Sequence, residues 1–272
     1  MGHDVHPDPE LGQARRLSEP ERLTLGSDMP ALVRRADIRG PQPAIVTLHG
    51  GGHDKSVVGP ATASRVVSAG VTLVSVDLYL HGDHFDDAAS SLDVSYETLL
   101  EIVAHTAHDL EGVVADLDRD PAIKRGAIAV RGESLGAYAA LTALGLGVPF
   151  CAGVSVGGAA DYEMTMADAL GASGSPADVI RDEQGRLKAR IREFDPLYRT
   201  EQIAPRPIMM VHGVIDEAVP IGAHRALYDA LAPHYAAAPD DCVFLTHAGG
   251  HNAPAVVDDL AWEWLIRRVV AM

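Results

Sequence analysis

The chain has 272 residues, with 22 Lys and Arg against 38 Asp and Glu, a formal charge of -16 and 47% hydrophobic residues. That length suits one large α/β domain spanning 1–272 with a full core rather than two domains. The charge opposes nucleic acid and anionic membrane surfaces.

No apolar run is long enough to span a bilayer, and the polar, acidic start from Met1 to Glu10 lacks the basic and apolar stretches of a secretion signal. A cytoplasmic protein is therefore expected. Cys151 and Cys242 fall within predicted strands, as small buried hydrophobes with reduced thiols.

In chain order, Glu21 to Leu25 and Ala31 to Ala36 flank the turn-rich Gly26-Ser27-Asp28 and read as an antiparallel hairpin. Strand and helix then alternate. Strands are predicted at Ala44 to His49, Val71 to Val76, Ala127 to Arg131, Phe150 to Val156, Ile208 to His212 and Val243 to His247. These short, nearly continuous apolar runs suit a parallel sheet covered on both faces.

A long amphipathic helix is marked by Tyr96, Leu99, Val103, Ala107, Leu110, Val114 and Leu117, with Glu101, His105 and His108 on its solvated side. Further helices are predicted over Val57 to Ser68, Gly222 to Leu231 and Ala255 to Val270. Residues 157–205 interrupt the alternation at more than ordinary loop length, and read as a small helical cap over the site. Within it Tyr162, Met164, Met166, Phe194 and Tyr198 are candidates for lining an apolar substrate pocket, or for packing the cap onto the sheet.

The chemistry is concentrated in the loops after strands. Gly132-Glu133-Ser134-Leu135-Gly136 lies between a predicted strand and a small-residue helix, where a nucleophilic serine on a sharp turn exposes its hydroxyl above the sheet. Gly153-Val154-Ser155-Val156-Gly157 fits the same pattern, but it continues a buried strand into a loop without a helix start. Ser134 is therefore the predicted nucleophile.

A serine hydroxyl needs a histidine to take its proton, and the histidine needs a carboxylate to fix its tautomer. Asp216 follows the strand that ends in His212, with Glu217 beside it and Asp161, after the preceding strand, as rivals. His251 follows the last strand and the pair Gly249-Gly250, with His247 as its rival. Ser134, Asp216, His251 is the chain order of α/β-hydrolases.

An oxyanion would meet the Leu135 N–H and a second N–H from His49-Gly50-Gly51-Gly52, with Gly51 the first choice and Gly50 and Gly52 close alternatives. His81-Gly82-Asp83-His84 is too sparse a ligand set for a metal site, and no nucleotide-binding glycine motif is present. No metal and no cofactor is expected.

With these residues placed, the chain resembles the α/β-hydrolase superfamily, and within it the compact bacterial carboxylesterases of the dienelactone hydrolase-like and prolyl oligopeptidase-like branches. The likeness rests on Leu48-His49-Gly50-Gly51-Gly52, Val76-Asp77-Leu78-Tyr79-Leu80-His81-Gly82, Gly132 to Gly136, His212-Gly213-Val214-Ile215-Asp216 with Val219-Pro220, and Gly250-His251. It implies an eight-stranded, mostly parallel sheet with helices on both faces, a Ser134, Asp216, His251 triad, and a place for His81 in a loop bordering the substrate pocket. Dienelactone hydrolases proper carry a cysteine where Ser134 stands, so lactone specificity does not carry over.

The expected activity is hydrolysis of a small or medium acyl ester through an acyl-serine. Thioester hydrolysis or acyl transfer in a biosynthetic pathway is the nearest alternative, and ligand binding on a hydrolase scaffold is the other. The expected partner is a small-molecule acyl substrate, with no nucleic acid and no membrane; a homodimer is left open.

Overall fold

The computed structural model describes residues 19–84, 95–172 and 174–272. The acidic start from Met1 to Glu10 lies outside the described residues.

A hairpin of β1 (Glu21–Leu25) and β2 (Met29–Arg34) opens the fold, followed by β3 (Gln42–Leu48), α1 (Pro60–Ser68), β4 (Thr72–Val76), α2 (Tyr96–Arg119), β5 (Ile123–Glu133) and α3 (Leu135–Gly145). After β6 (Gly153–Val156) come α4 (Tyr162–Ala172), α5 (Ala177–Phe194) and the short α6 (Thr200–Ile203). The chain closes with β7 (Ile208–Gly213), α7 (Ile221–Leu231), β8 (Cys242–His247) and α8 (Ala255–Val270).

The eight strands form one sheet in the order β1-β2-β4-β3-β5-β6-β7-β8. The hairpin pairs antiparallel within itself and onto β4, and every pairing from β4 to β8 is parallel. Parallel strands need crossover connections, which place helices on both faces and bury each strand twice over.

The period-two alternation of the strands sorts the core into two clusters. Ala44, Val46, Leu48, Ile128 and Val130 face α2, α3 and α7, against Leu110, Val113, Ala140, Leu144 and Leu227. Ile45, Leu73, Ala127, Ala129 and Val211 face α1 and α8, against Val66, Trp262 and Leu265.

Several sequence-based boundaries move. The predicted helix at Val57 begins at Pro60, because Pro is preorganised for the first helical position and Gly59 takes the extended cap before it. The predicted strand at Phe150 is assigned only from Gly153, after the Gly147 turn at φ +86, although Cys151 N–H already donates to Ile128 O. Cys151 therefore sits half-buried just before β6, while Cys242 is buried at the first position of β8; both are free thiols that burial pushes up to about 11.

The excursion over 157–205 forms α4, α5 and α6, and closes a third cluster on α2, α3 and α7. Tyr162, Met166, Leu187, Ile191 and Phe194 pack there against Leu100, Val103, Tyr138 and Ala223. Asp195 holds the two ends of this excursion together, accepting from the N–H groups of Asp161 (3.1 Å), Tyr162 (2.7 Å) and Leu197 (2.9 Å).

Candidate active site

Ser134 follows β5 directly and caps α3 at φ 50, ψ -119, a conformation that an L side chain enters only under strain. Its own N–H donates to Val156 O at 2.8 Å, and its carbonyl accepts from Ala137 and Tyr138, so the turn is pinned on both sides. Two glycines make the turn possible. A Cβ on Gly132 would lie 2.1 Å from Gly136 O, and one on Gly136 would lie 2.5 Å from the carbonyl oxygens of Leu48 and His49. The start of α3 is thereby set directly against the loop that follows β3.

His251 Nε2 lies 2.8 Å from Ser134 Oγ, and His251 Nδ1 lies 2.8 Å from Asp216 Oδ2. The three predicted residues thus meet in one hydrogen-bonded chain, although 117 positions separate the first pair. The loops after β7 and β8 approach closely enough for this because Gly213 has no side chain: a Cβ there would lie 2.0 Å from Gly250 O. Gly157, at φ +60, likewise leaves room for the His251 ring.

The Asp216 carboxylate is buried, and its Oδ1 accepts the N–H groups of Ala218 at 2.9 Å and Val219 at 3.0 Å. Burial pushes this acid up, but the Val219 and Ala218 N–H groups and His251 outweigh burial and hold it below the ordinary carboxylate range. It is an ionised partner for an imidazolium at neutral pH.

The rivals are engaged elsewhere. Asp161 turns its Oδ1 to Met164 N–H at 3.0 Å, at the start of α4, and Glu217 is exposed. His247 Nδ1 accepts from Gly249 N–H at 3.2 Å. Ser155 is 1% exposed and bonded to His224 Nε2 at 3.0 Å, so it is closed to any substrate.

Leu135 is the first residue of α3, where N–H groups have no intrahelical acceptor and the helix dipole is positive. Opposite it runs the loop of Gly50 and Gly51, with Ser134 Cβ 3.4 Å from where a Cβ on Gly50 would stand. Gly50 O accepts from His49 Nδ1 at 2.8 Å and from His53 N–H at 3.3 Å. Because the peptide is planar and trans, fixing that carbonyl also fixes the Gly51 N–H in the opposite direction.

Sequence reading missed the supports of this loop. His49 Nε2 accepts from Leu78 N–H at 3.1 Å, which leaves Nδ1–H to donate to Gly50 O; burial lowers this imidazole's pKa, favouring the neutral form that the pattern requires. Asp77 is fully buried and takes Lys55 N–H at 2.7 Å, Asp83 N–H at 2.8 Å and the Lys55 ammonium, which also reaches Asp83 at 2.7 Å. Gly82, at φ +54, admits that carboxylate: a Cβ would lie 2.3 Å from Asp77 Oδ1. The only local signal was an Asp directly after an apolar strand.

The predicted pocket residues divide. His81 is half-buried beside the glycine loop, with its ring 5.3 Å from that of His49 and its Nδ1 on Tyr79 O. Met164 and Tyr198 are exposed, and Arg192 lies over the Tyr198 ring. Tyr162 and Phe194 are corrections. Tyr162 is fully buried with its hydroxyl 2.6 Å from Thr142 Oγ1, and Phe194 is buried in the same cluster, so both hold the excursion to the domain and neither lines an open pocket.

The likeness to known proteins agrees with this architecture. The chain is 26% identical over 168 residues to the putative esterase YitV of Bacillus subtilis (strain 168), covering 60% of this chain and 66% of that protein, just under two thirds of it. It is 26% identical over 198 residues to the esterase YjfP of Escherichia coli (strain K12), covering 71% of this chain and 76% of that one. The crystal structure of TT1662 from Thermus thermophilus superposes with a TM-score of 0.73 at 20% identity, over 94% of this chain and 100% of that one, and shares the fold. Residues 102–253, more than half of the chain, match the prolyl oligopeptidase family. They contain Ser134, Asp216 and His251 together, so the chain is an α/β-hydrolase and belongs to the prolyl oligopeptidase family.

Proposed function

We propose that this serine hydrolase cleaves small or medium carboxylic esters through an acyl-Ser134 intermediate. The observation that carries the reading is the continuous chain from Ser134 Oγ to His251 to Asp216, at 2.8 Å for each link. The esterase relatives favour an ester over a peptide bond as the substrate.

In this mechanism Ser134 Oγ attacks the acyl carbon while His251 Nε2 takes its proton, and Asp216 stabilises the imidazolium. The oxyanion is met by the Leu135 and Gly51 N–H groups, each such donor contributing roughly 2.7–4 kcal/mol to the transition state. His251 then gives its proton to the departing alkoxide, and water, activated by the same imidazole, releases the acid and frees Ser134.

The cytoplasm is the proposed setting, supported by two free cysteines whose thiols burial makes unreactive. Among the described residues no helix is long and apolar enough to cross a membrane.

The test is covalent. A fluorophosphonate should label Ser134, found by peptide mass mapping, and release of p-nitrophenol from short esters should stop in Ser134→Ala while the fold is kept. Retained turnover in that variant would overturn the mechanism, and faster cleavage of acyl thioesters than of esters would overturn the substrate class.

A further inference from the structure

Behind the triad carboxylate lies a second line of hydrogen bonds that the reaction scheme leaves unused. Val219, whose N–H donates to Asp216 Oδ1, carries this line, and His212 Nε2 stands 3.2 Å from Asp216 Oδ2, the oxygen that receives His251, as a close polar neighbour outside hydrogen-bond geometry. His212 Nε2 is 3.0 Å from Val219 O, His212 Nδ1 is 2.9 Å from His224 Nδ1, and His224 Nε2 is 3.0 Å from Ser155 Oγ. Both imidazoles and the serine are buried, and the two rings meet edge-on at 5.1 Å.

The protons in this line can be placed by elimination. Val219 O and the Asp216 carboxylate only accept, so His212 Nε2 carries a hydrogen. His212 Nδ1 is then the acceptor of the neutral ring, and His224 Nδ1 must donate to it. That leaves His224 Nε2 as an acceptor, filled by the Ser155 hydroxyl. Every ring nitrogen is satisfied in one arrangement only, provided both imidazoles are neutral.

Their surroundings require neutrality. Burial lowers the His212 and His224 pKa values, the latter far below its ordinary value. His224 faces His212, Ser155 and the Phe244 ring, with no carboxylate among these neighbours, while His212 faces Asp216, with His251 and His247 as further titratable neighbours. An imidazolium at His212 would set its Nδ1–H against the His224 Nδ1–H at 2.9 Å, and one at His224 would turn the Ser155 hydroxyl from donor to acceptor.

We propose that His212 is a positioning residue that holds the Val219 carbonyl and keeps its Nε2–H beside Asp216 Oδ2, and that His224, held by Ser155, locks His212 in the donating tautomer. The inference rests on the hydrolase reading above for its kinetic consequence, and on hydrogen-bond geometry and burial for its tautomers. The Val219 N–H held on Oδ1 and the Nε2–H dipole beside Oδ2 both offset the carboxylate's charge, so Asp216 binds the His251 imidazolium less tightly than it would without His212. Ser155, the second match to the nucleophile pattern, becomes the anchor at the far end of the line.

Two measurements test this. In the full-length protein, long-range nitrogen-proton correlation spectra should show His212 protonated at Nε2 only and His224 at Nδ1 only, unchanged from about pH 5.5 to 8. The opposite tautomers, or a charged ring at either position, would overturn the proposal whatever the activity.

In kinetics, His212→Leu and His224→Leu should lower kcat/KM roughly tenfold and move the acid limb of its pH profile upward. His212→Gln, whose amide can donate from nearly the same place, should restore both. The His251 ring should titrate higher in His212→Leu by the same spectra, which separates this idea from the hydrolase reading if no ester is turned over. A folded His212→Leu with the wild-type pH profile and the wild-type His251 titration would overturn it.

Discussion

Gly136 shows how one residue connects the nucleophile to the oxyanion loop. Its missing side chain lets the first turn of α3 rest on the Leu48 and His49 carbonyls, the backbone from which Gly50 and Gly51 continue. Gly136→Ala would place a methyl group 2.5 Å from both oxygens, and neither is a flexible side-chain end that could swing aside. The variant should lose about 1–3 kcal/mol of stability, read by urea denaturation, and its kcat should fall more than its KM rises because the displaced amides serve the transition state. Ser134, Asp216 and His251 were legible in the sequence because each stands in a loop between a recognisable strand and helix, in an order that only a few folds use. His212, His224, Lys55 and Asp77 were not. Their roles depend on pairings such as Lys55 with Asp77, 22 positions apart, and His212 with His224, 12 apart, which the packing of strands, loops and helices brings together and no local pattern marks.

Elements divide between those that carry the site and those that hold its loops in place. The loop between β3 and α1 is tied to the loop after β4 by Lys55 and Asp77, and the amphipathic periods that revealed the strands say nothing about this clamp. Lys55→Met would remove the ammonium from a carboxylate that stays fully buried, leaving it with backbone donors alone. Breaking one side of a buried pair costs about 3–5 kcal/mol, so the urea midpoint should fall sharply, while Asp83→Asn, at the exposed end of the same cluster, should change it little. The excursion over 157–205 was legible as helical and as lying outside the alternation, but its apolar residues could not be assigned a direction. Tyr162 and Phe194 turned inward because a helix laid on α2 and α3 must bury its own stripe before it can offer any surface to a substrate. Asp195, which fastens this excursion, gives it a pH dependence: burial raises its carboxyl to about 6 despite three backbone donors. The folded protein therefore holds this proton more tightly than the unfolded chain. Its contribution is fully present below about pH 4 and is lost as pH rises through 6, a change on the order of 3 kcal/mol. Asp195→Asn should flatten the urea midpoint over that interval, and a carbon-detected titration should place the carboxyl midpoint near 6.

At the scale of the whole molecule, all three parts of the site stand at the ends of the parallel strands, where β5, β7 and β8 release their loops on one edge of the sheet. The same topology that was legible as strand-helix alternation thus decides where chemistry can occur. The formal charge of -16 belongs to the whole chain and does not choose the reaction, yet it acts on the approach of substrate. An ester whose acyl or leaving group carries a carboxylate meets net repulsion, whereas a neutral ester of the same size meets none. Raising ionic strength from about 0.01 M to 0.15 M shortens the screening length from roughly 30 to 8 Å, so long-range repulsion from distant surface carboxylates largely disappears. For the anionic ester kcat/KM should therefore rise severalfold with salt while kcat stays level, and for its neutral counterpart both should hold constant. Parallel salt series on such a matched pair separate the field of the molecule from the chemistry of its loops: an equal response for both esters would mean that salt acts on the fold or the triad, and an opposite response would mean that positive charge close to the site outweighs the global field.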